Sequence, residues 1–148
     1  MENFYRSVIC RDHRFDTSER VSDLNLLEPT LRRKVQAVVR DAAGHGVELV
    51  VFETYRSRDR QQMLYSQGAT RLKLVGVHHY GLACDLVRRV NGHLDWDADY
   101  SLLGKLCRAH GLVWGGDWKG FVDSVHVQWV AVRDQPRLFA GAWYPVEE

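Results

Sequence analysis

The sequence predicts an α+β fold, a single domain in which an antiparallel β-sheet is flanked by helices. Three observations carry this. Apolar residues recur at helical spacing after Pro29 and again around Leu103, and residues 47–54 form a valine-rich run that reads as a strand. Asn91-Gly92 then stands between two strand-like stretches as a hairpin turn. A chain of 148 residues is long enough to bury a core as one domain, and no internal repeat, low-complexity tract or Pro/Ser-rich linker marks a second module.

Composition narrows the function. With 45% hydrophobic residues, 26% charged residues and a net charge of +1, the chain reads as an ordinary globular domain with no electrostatic footprint for nucleic acid. Its densest basic cluster, Arg32-Arg33-Lys34, reads as a solvated helix face. Cys10, Cys84 and Cys107 are odd in number and widely spaced, which argues against a disulfide framework or a zinc ribbon and for buried, reduced thiols. The first ten residues lack an apolar core of signal-peptide length, and no stretch is long enough to span a bilayer. The expectation is synthesis in the cytoplasm without membrane insertion.

Residues 1–27 show no clear period, and His13 reads as a surface side chain. Glu28-Pro29-Thr30 starts a helix, since proline fits the first turn and an acidic residue suits the positive end of the dipole. Leu31, Val35, Val38, Val39 and Ala42 form its buried stripe, and Gly44-His45-Gly46 ends it. The strand at 47–54, expected to be buried on both faces through Leu49, Val50, Val51 and Phe52, delivers Tyr55-Arg56-Ser57. Ser57 is the N-cap of a helix over 58–67, stopped by Gly68, with Met63 and Leu64 turned inward. Arg56, at a strand-to-helix junction, is in an unusual place. Residues 69–77 read as a connection carrying Arg71 and Lys73.

Residues 82–87 form the next strand, with Ala83 and Asp85 on one face and Cys84 and Leu86 on the other. The hairpin at Asn91-Gly92 pairs 86–90 with 93–96. Asp97 or Asp99 caps a helix that buries Tyr100, Leu103, Leu106 and Cys107 and ends at Gly111. A short strand then opens into Trp114-Gly115-Gly116-Asp117-Trp118, whose tryptophans suit either core packing or a cleft wall. Near the end, Val125, Val127 and Trp129 share one strand face and His126 and Gln128 the other, so Gln128 is placed to support His126. The tail, through Trp143, Tyr144 and Pro145, is expected to pack back onto the domain.

Two segments carry chemistry. His78-His79-Tyr80-Gly81-Leu82-Ala83-Cys84-Asp85 supplies nitrogen and oxygen donors, and Asp123-Ser124-Val125-His126 supplies a second imidazole with a carboxylate three positions earlier. Two histidines and one carboxylate leave a zinc ion with an open coordination position, which a hydrolytic centre needs and a closed structural site avoids. The same donors form the facial triad of non-haem iron oxygenases. They also occur as unconnected polar residues of ordinary domains.

Five co-linear strings decide among these. Glu53-Thr54-Tyr55-Arg56-Ser57 with Arg60-Gln61, Leu64-Tyr65-Ser66-Gln67-Gly68, His78-x-x-Gly81-x-Ala83-x-Asp85, Gly111-Leu112-x-Trp114-Gly115-Gly116-Asp117-Trp118 and Asp123-x-x-His126 resemble the zinc peptidases of bacterial cell walls. That family holds D-alanyl-D-alanine carboxypeptidases and dipeptidases and the L-alanyl-D-glutamate endopeptidases that phages use as endolysins. The tryptophan-glycine run and the Arg-Ser-x-x-Arg-Gln helix are most similar to the last group. The resemblance implies a zinc site on the sheet, with His78, Asp85 and His126 as ligands to Zn2+, Asp123 as catalytic base and Arg56 steadying the substrate carbonyl oxygen. Spacing to Gly81 selects His78 over His79. Gly76 departs from the serine usual two residues before the first histidine, which implies a hydrogen bond missing or replaced.

The implied function is a zinc metallopeptidase acting as a monomer on the peptidoglycan stem peptide, at the L-alanyl-D-glutamate bond, with no separate wall-binding domain. An endolysin of this kind would reach the wall through a phage-encoded pore. The rival readings are D-Ala-D-Ala hydrolysis and a zinc-stabilised module that binds wall peptides without cutting them.

Overall fold

The computed structural model describes residues 2–70 and 75–148, so the connection expected around Arg71 and Lys73 lies outside the described residues. A short helix, α1 (Phe4–Ser7), opens the chain, capped by the Asn3 side chain on the Arg6 amide, and 3₁₀ turns follow at Ile9–Arg11 and Leu24–Leu26. No period is legible in this stretch because separate contacts hold it. Ile9, Val21 and Leu26 form a small core with Tyr55, and the Tyr55 hydroxyl donates to the Phe15 carbonyl at 2.6 Å.

Helix α2 (Pro29–Gly44) begins where expected, and the Glu28 carboxylate accepts the Thr30 and Leu31 amides at 2.5 and 3.2 Å. Leu31, Val35, Val38 and Ala42 are buried, while Arg33, Gln36 and Arg40 face water. Strand β1 (Glu48–Glu53) follows. It was expected to be buried on both faces, but it is an edge strand: Leu49 is buried, whereas Val50, Val51 and Phe52 are only half covered. Helix α3 (Arg58–Ser66) is capped by Ser57, whose hydroxyl accepts the Arg60 amide at 3.0 Å. Its buried residue is the polar Gln61, and the expected inward pair, Met63 and Leu64, is half-buried.

Strand β2 (Ala83–Val90) is the longest, and it turns through Asn91 and Gly92, both with positive φ, into β3 (His93–Asp95). Helix α4 (Ser101–Ala109) starts where the Asp99 carboxylate accepts the Ser101 amide at 2.8 Å, so Asp99 rather than Asp97 serves its first turn. Strands β4 (Val113–Trp114) and β5 (His126–Gln128) and helix α5 (Gln135–Phe139) complete the fold.

The sheet is antiparallel in the order β1-β2-β5-β4, with β3 pairing the far part of β2. Helices α2 and α4 share the main core with Cys84, Leu86 and Val127 of the sheet. Ala83 belongs to a second cluster with Val77, Leu82, Val130 and Leu138, against which Trp143 and Tyr144 of the tail pack as expected. The Tyr144 hydroxyl donates to the Tyr80 carbonyl at 2.8 Å. Cys84 and Cys107 are buried thiols as expected, but Cys10, in the 3₁₀ turn Ile9–Arg11 that buries only Ile9, is exposed.

Candidate metal centre

The register of the sheet assembles the site. Asp85 of β2 stands directly opposite His126 of β5 on one side and Glu53 of β1 on the other. Directly opposed residues of antiparallel strands project from the same face. An extra residue in β1, between Val51 and Glu53, makes this possible, since the bulge shifts the register by one and brings Glu53 across from Asp85.

His78 comes from the 3₁₀ turn Val77–Tyr80 that leads into β2, and Gly81 closes that turn at φ 73°. A Cβ at Gly81 would lie 2.8 Å from the Leu26 carbonyl oxygen, so neither the backbone conformation nor the space admits a side chain.

His78, Asp85 and His126 are all buried, and one donor atom from each lies within 4.8 Å of the others. His78 Nδ1 faces the Thr54 carbonyl oxygen at 2.8 Å. A carbonyl only accepts, so Nδ1 carries the hydrogen and Nε2 presents its lone pair to Asp85 Oδ1, 3.3 Å away. The Gln128 amide nitrogen donates to the Val130 carbonyl and to Gln135, which turns its oxygen onto His126 Nε2 at 2.8 Å. His126 therefore presents Nδ1 to the same Asp85 oxygen, at 3.6 Å.

Two lone pairs and a carboxylate oxygen thus converge, and that buried oxygen has no hydrogen-bond partner. Such a set repels itself unless a cation stands among the three donors, so the residues fit a divalent metal with two nitrogen ligands and one oxygen ligand. Where protons rather than a metal cation answer that oxygen, burial alone would raise the Asp85 carboxyl, but the then positively charged His78 and His126 beside it hold it well below the usual carboxylate range. Around His126, burial is outweighed by Asp85 and Asp123, and its pKa rises.

Asp123 sits at the rim, about one-third exposed, with its carboxylate 4.0 Å from His126 Nδ1. Burial raises its pKa. The Asp123 amide donates to the Gly115 carbonyl at 3.0 Å, and a Cβ on Gly115 would meet the Asp123 carbonyl oxygen at 2.3 Å. Arg56, on the opposite wall, donates to Glu53 at 2.9 Å and Gln61 at 3.2 Å, with Asp85 at 3.5 Å. A cleft of about 760 Å³ opens over these groups, with Trp96, Trp118 and Phe121 among its walls.

All five residues singled out in the sequence therefore face one cleft. Trp118 is a wall, its ring 5.0 Å from that of His126, whereas Trp114 packs into the core and donates its indole N–H to the Ser124 carbonyl. His79 points away from the cleft into the N-terminal core, where the Tyr5 hydroxyl meets its Nε2 at 2.8 Å and burial lowers its pKa to about 4. Gly76 lines the cleft, and the turn it precedes has no side-chain cap. The sequence alone assigns no task to Glu53, Arg60 or Gln61. An acid ending an apolar run three residues before an arginine was the legible signal for Glu53.

The sequence profile of a peptidase family described as D-alanyl-D-alanine carboxypeptidase matches residues 71–129. The peptidoglycan L-alanyl-D-glutamate endopeptidase CwlK of Bacillus subtilis is 31% identical over 123 residues, covering 70% of this chain and 74% of that one. The chain belongs to this family of cell-wall metallopeptidases. An L-alanyl-D-glutamate peptidase of a Listeria phage is 30% identical over 115 residues, covering 75% of this chain, which spans only 41% of that longer protein. Among solved structures, the family's fold recurs in the L-Ala D-Glu endopeptidase ChiX of Serratia marcescens, at a TM-score of 0.64 and 26% identity. That match covers 80% of this chain and 94% of the other. The LdcB LD-carboxypeptidase shares the fold at a TM-score of 0.57 and 18% identity, over 78% of this chain and 64% of its own.

Proposed function

We propose that the chain is a zinc-dependent peptidase that cuts the peptidoglycan stem peptide between L-alanine and D-glutamate. The observation that carries this reading is the convergence of His78, Asp85 and His126 at the floor of a cleft that has Asp123 on one side and Arg56 on the other. The two relatives named for the same bond support the choice of substrate.

In this reading the three floor residues hold Zn2+, which when bound supplies Lewis acidity and a water whose pKa falls from about 15.7 towards about 7. Asp123 takes the proton of the attacking water and returns it to the leaving amine as the C–N bond breaks. Burial raises its pKa, which favours holding the proton between the two transfers. Arg56, fixed by Glu53 and Gln61, donates to the oxyanion of the tetrahedral intermediate, an effect commonly of about 3 kcal/mol. Gln128 and the Thr54 carbonyl hold the imidazoles in the tautomers described above.

In this reading one domain supplies every group the reaction uses, and the enzyme acts as a monomer. Among the described residues no helix is long and apolar enough to cross a membrane. As an endolysin-type enzyme it would act on the wall after release through a phage-encoded pore.

The test is mass spectrometry of fragments released from purified peptidoglycan, with and without a chelator. New termini at L-alanine and D-glutamate, lost with chelator and restored by zinc, are the expected result. Release of terminal D-alanine instead would favour the activity that describes the matching family profile. Intact peptidoglycan after incubation with folded, zinc-loaded protein would overturn the peptidase reading.

A further inference from the structure

The cleft contains a second guanidinium for which the reaction above has no task. The Arg60 side chain is only 15% exposed, and its Nε donates to Glu53 Oε2 at 3.1 Å. Its two terminal nitrogens have no hydrogen-bond partner among the described residues, yet they are not sealed off, because Arg60 lines the cleft. A guanidinium anchored through Nε, with its terminal donors turned to the cleft, offers a planar pair of donors that matches a carboxylate.

Charge pairing in the wall leads the same way. Glu53 gives one oxygen to Arg56 and the other to Arg60, so a single carboxylate answers two guanidiniums. The next acid, Asp85, turns Oδ2 to Arg56 at 3.5 Å and Oδ1 to the two histidines, so it answers Arg56 but not Arg60. Arg60 therefore has only a shared carboxylate, held through Nε, beside the arginine assigned to the scissile carbonyl.

The chemistry of the stem peptide supplies the anion. The residue on the amine side of the L-alanyl-D-glutamate bond continues through its γ-carboxyl, which leaves its α-carboxylate free. A terminal D-alanine also carries a free α-carboxylate, because the chain ends there. In both, the charge lies one residue beyond the scissile carbonyl.

We propose that Arg60 binds this α-carboxylate through its terminal nitrogens, selecting peptides whose leaving residue carries a free α-carboxyl group. The proposal rests on the peptidase reading and adds the feature of the substrate that the cleft recognises. It also accounts for one fold serving both an internal γ-linked bond and a terminal one. Walls in which the D-glutamate α-carboxyl is amidated are then poor substrates.

Calorimetric titration of the zinc-loaded protein with γ-D-glutamyl-L-lysine and with its α-carboxamide tests this without turnover. The acid is expected to bind about tenfold more tightly than the amide. Arg60→Gln should bring the two within about twofold, and Arg60→Lys should keep part of the preference while its thermal midpoint reports any damage to the Glu53 contact. Equal binding by the wild type would overturn the proposal, as would a tenfold preference that survives in folded Arg60→Gln. Hydrolysis of L-alanyl-γ-D-glutamyl-L-lysine and its α-amide is followed in parallel. If neither is cut, the peptidase reading fails, while the calorimetric ratio still decides the role of Arg60.

Discussion

Two aspartates a few ångströms from His126 have opposite environments. Asp85 lies between two imidazoles with one oxygen unpartnered, and it stays ionised; Asp123 reaches the cleft and is pushed up by burial. In the proposed reaction this separation suits one carboxylate to holding a cation and the other to moving a proton. Asp123→Asn should keep the metal and lower kcat by about 10²–10⁴-fold, read from initial rates beside metal content. His126→Ala should lose the metal, read by elemental analysis after dialysis. Glu53 is a different case, since it is buried and answers both Arg56 and Arg60. Its replacement by alanine strands two buried cations and should cost about 3 kcal/mol in denaturant unfolding.

At the scale of elements, the site depends on backbone that side-chain periodicity does not encode. The helical stripe of α2, the Ser57 cap and the Asn91-Gly92 hairpin were legible because each follows from local spacing or turn chemistry. The alternation along β2 and β5 was legible too, and it correctly separated Cys84 from Asp85 and placed Gln128 beside His126. The bulge in β1 was not, since an extra residue leaves no mark on an apolar run. Nor was the edge position of that strand, because Val-Val-Phe reads alike at an edge or in a centre. The inward residue of α3 was misread because Gln61 is buried for its contacts with Arg56 and Thr70. The loop of Asp123 offers an element-scale test. Gly115→Ala forces the backbone away by the clash with the Asp123 carbonyl and also presses on the His126 Cβ at 3.1 Å, so it should lower turnover about 10²-fold, with metal content measured beside the rate.

On the scale of the whole molecule, distant segments of the chain converge on the turn that carries His78. Tyr5 meets His79, and Tyr144 meets Tyr80, across 74 and 64 positions of sequence respectively. The N-terminal segment is tied down further by Arg14, whose hydrogen bonds hold the Asp12 carboxyl at about 2, against about 3.9 in an unfolded chain. A depressed carboxyl stabilises above its unfolded pKa and loses that contribution as pH falls through its folded one. Thermal midpoints measured from pH 5 down to pH 2 should therefore show wild type above Asp12→Asn at the upper end and the two converging at the lower. The order in which the chain emerges during synthesis gives the clamped turn a further meaning. His78 and Asp85 leave the ribosome long before His126, and Tyr144 follows later still. A chain cut short after β3 carries His78 on a turn that Tyr5 braces without Tyr144, and Asp85 on β2, with no third donor, so the three-donor site closes only once β5 has been made.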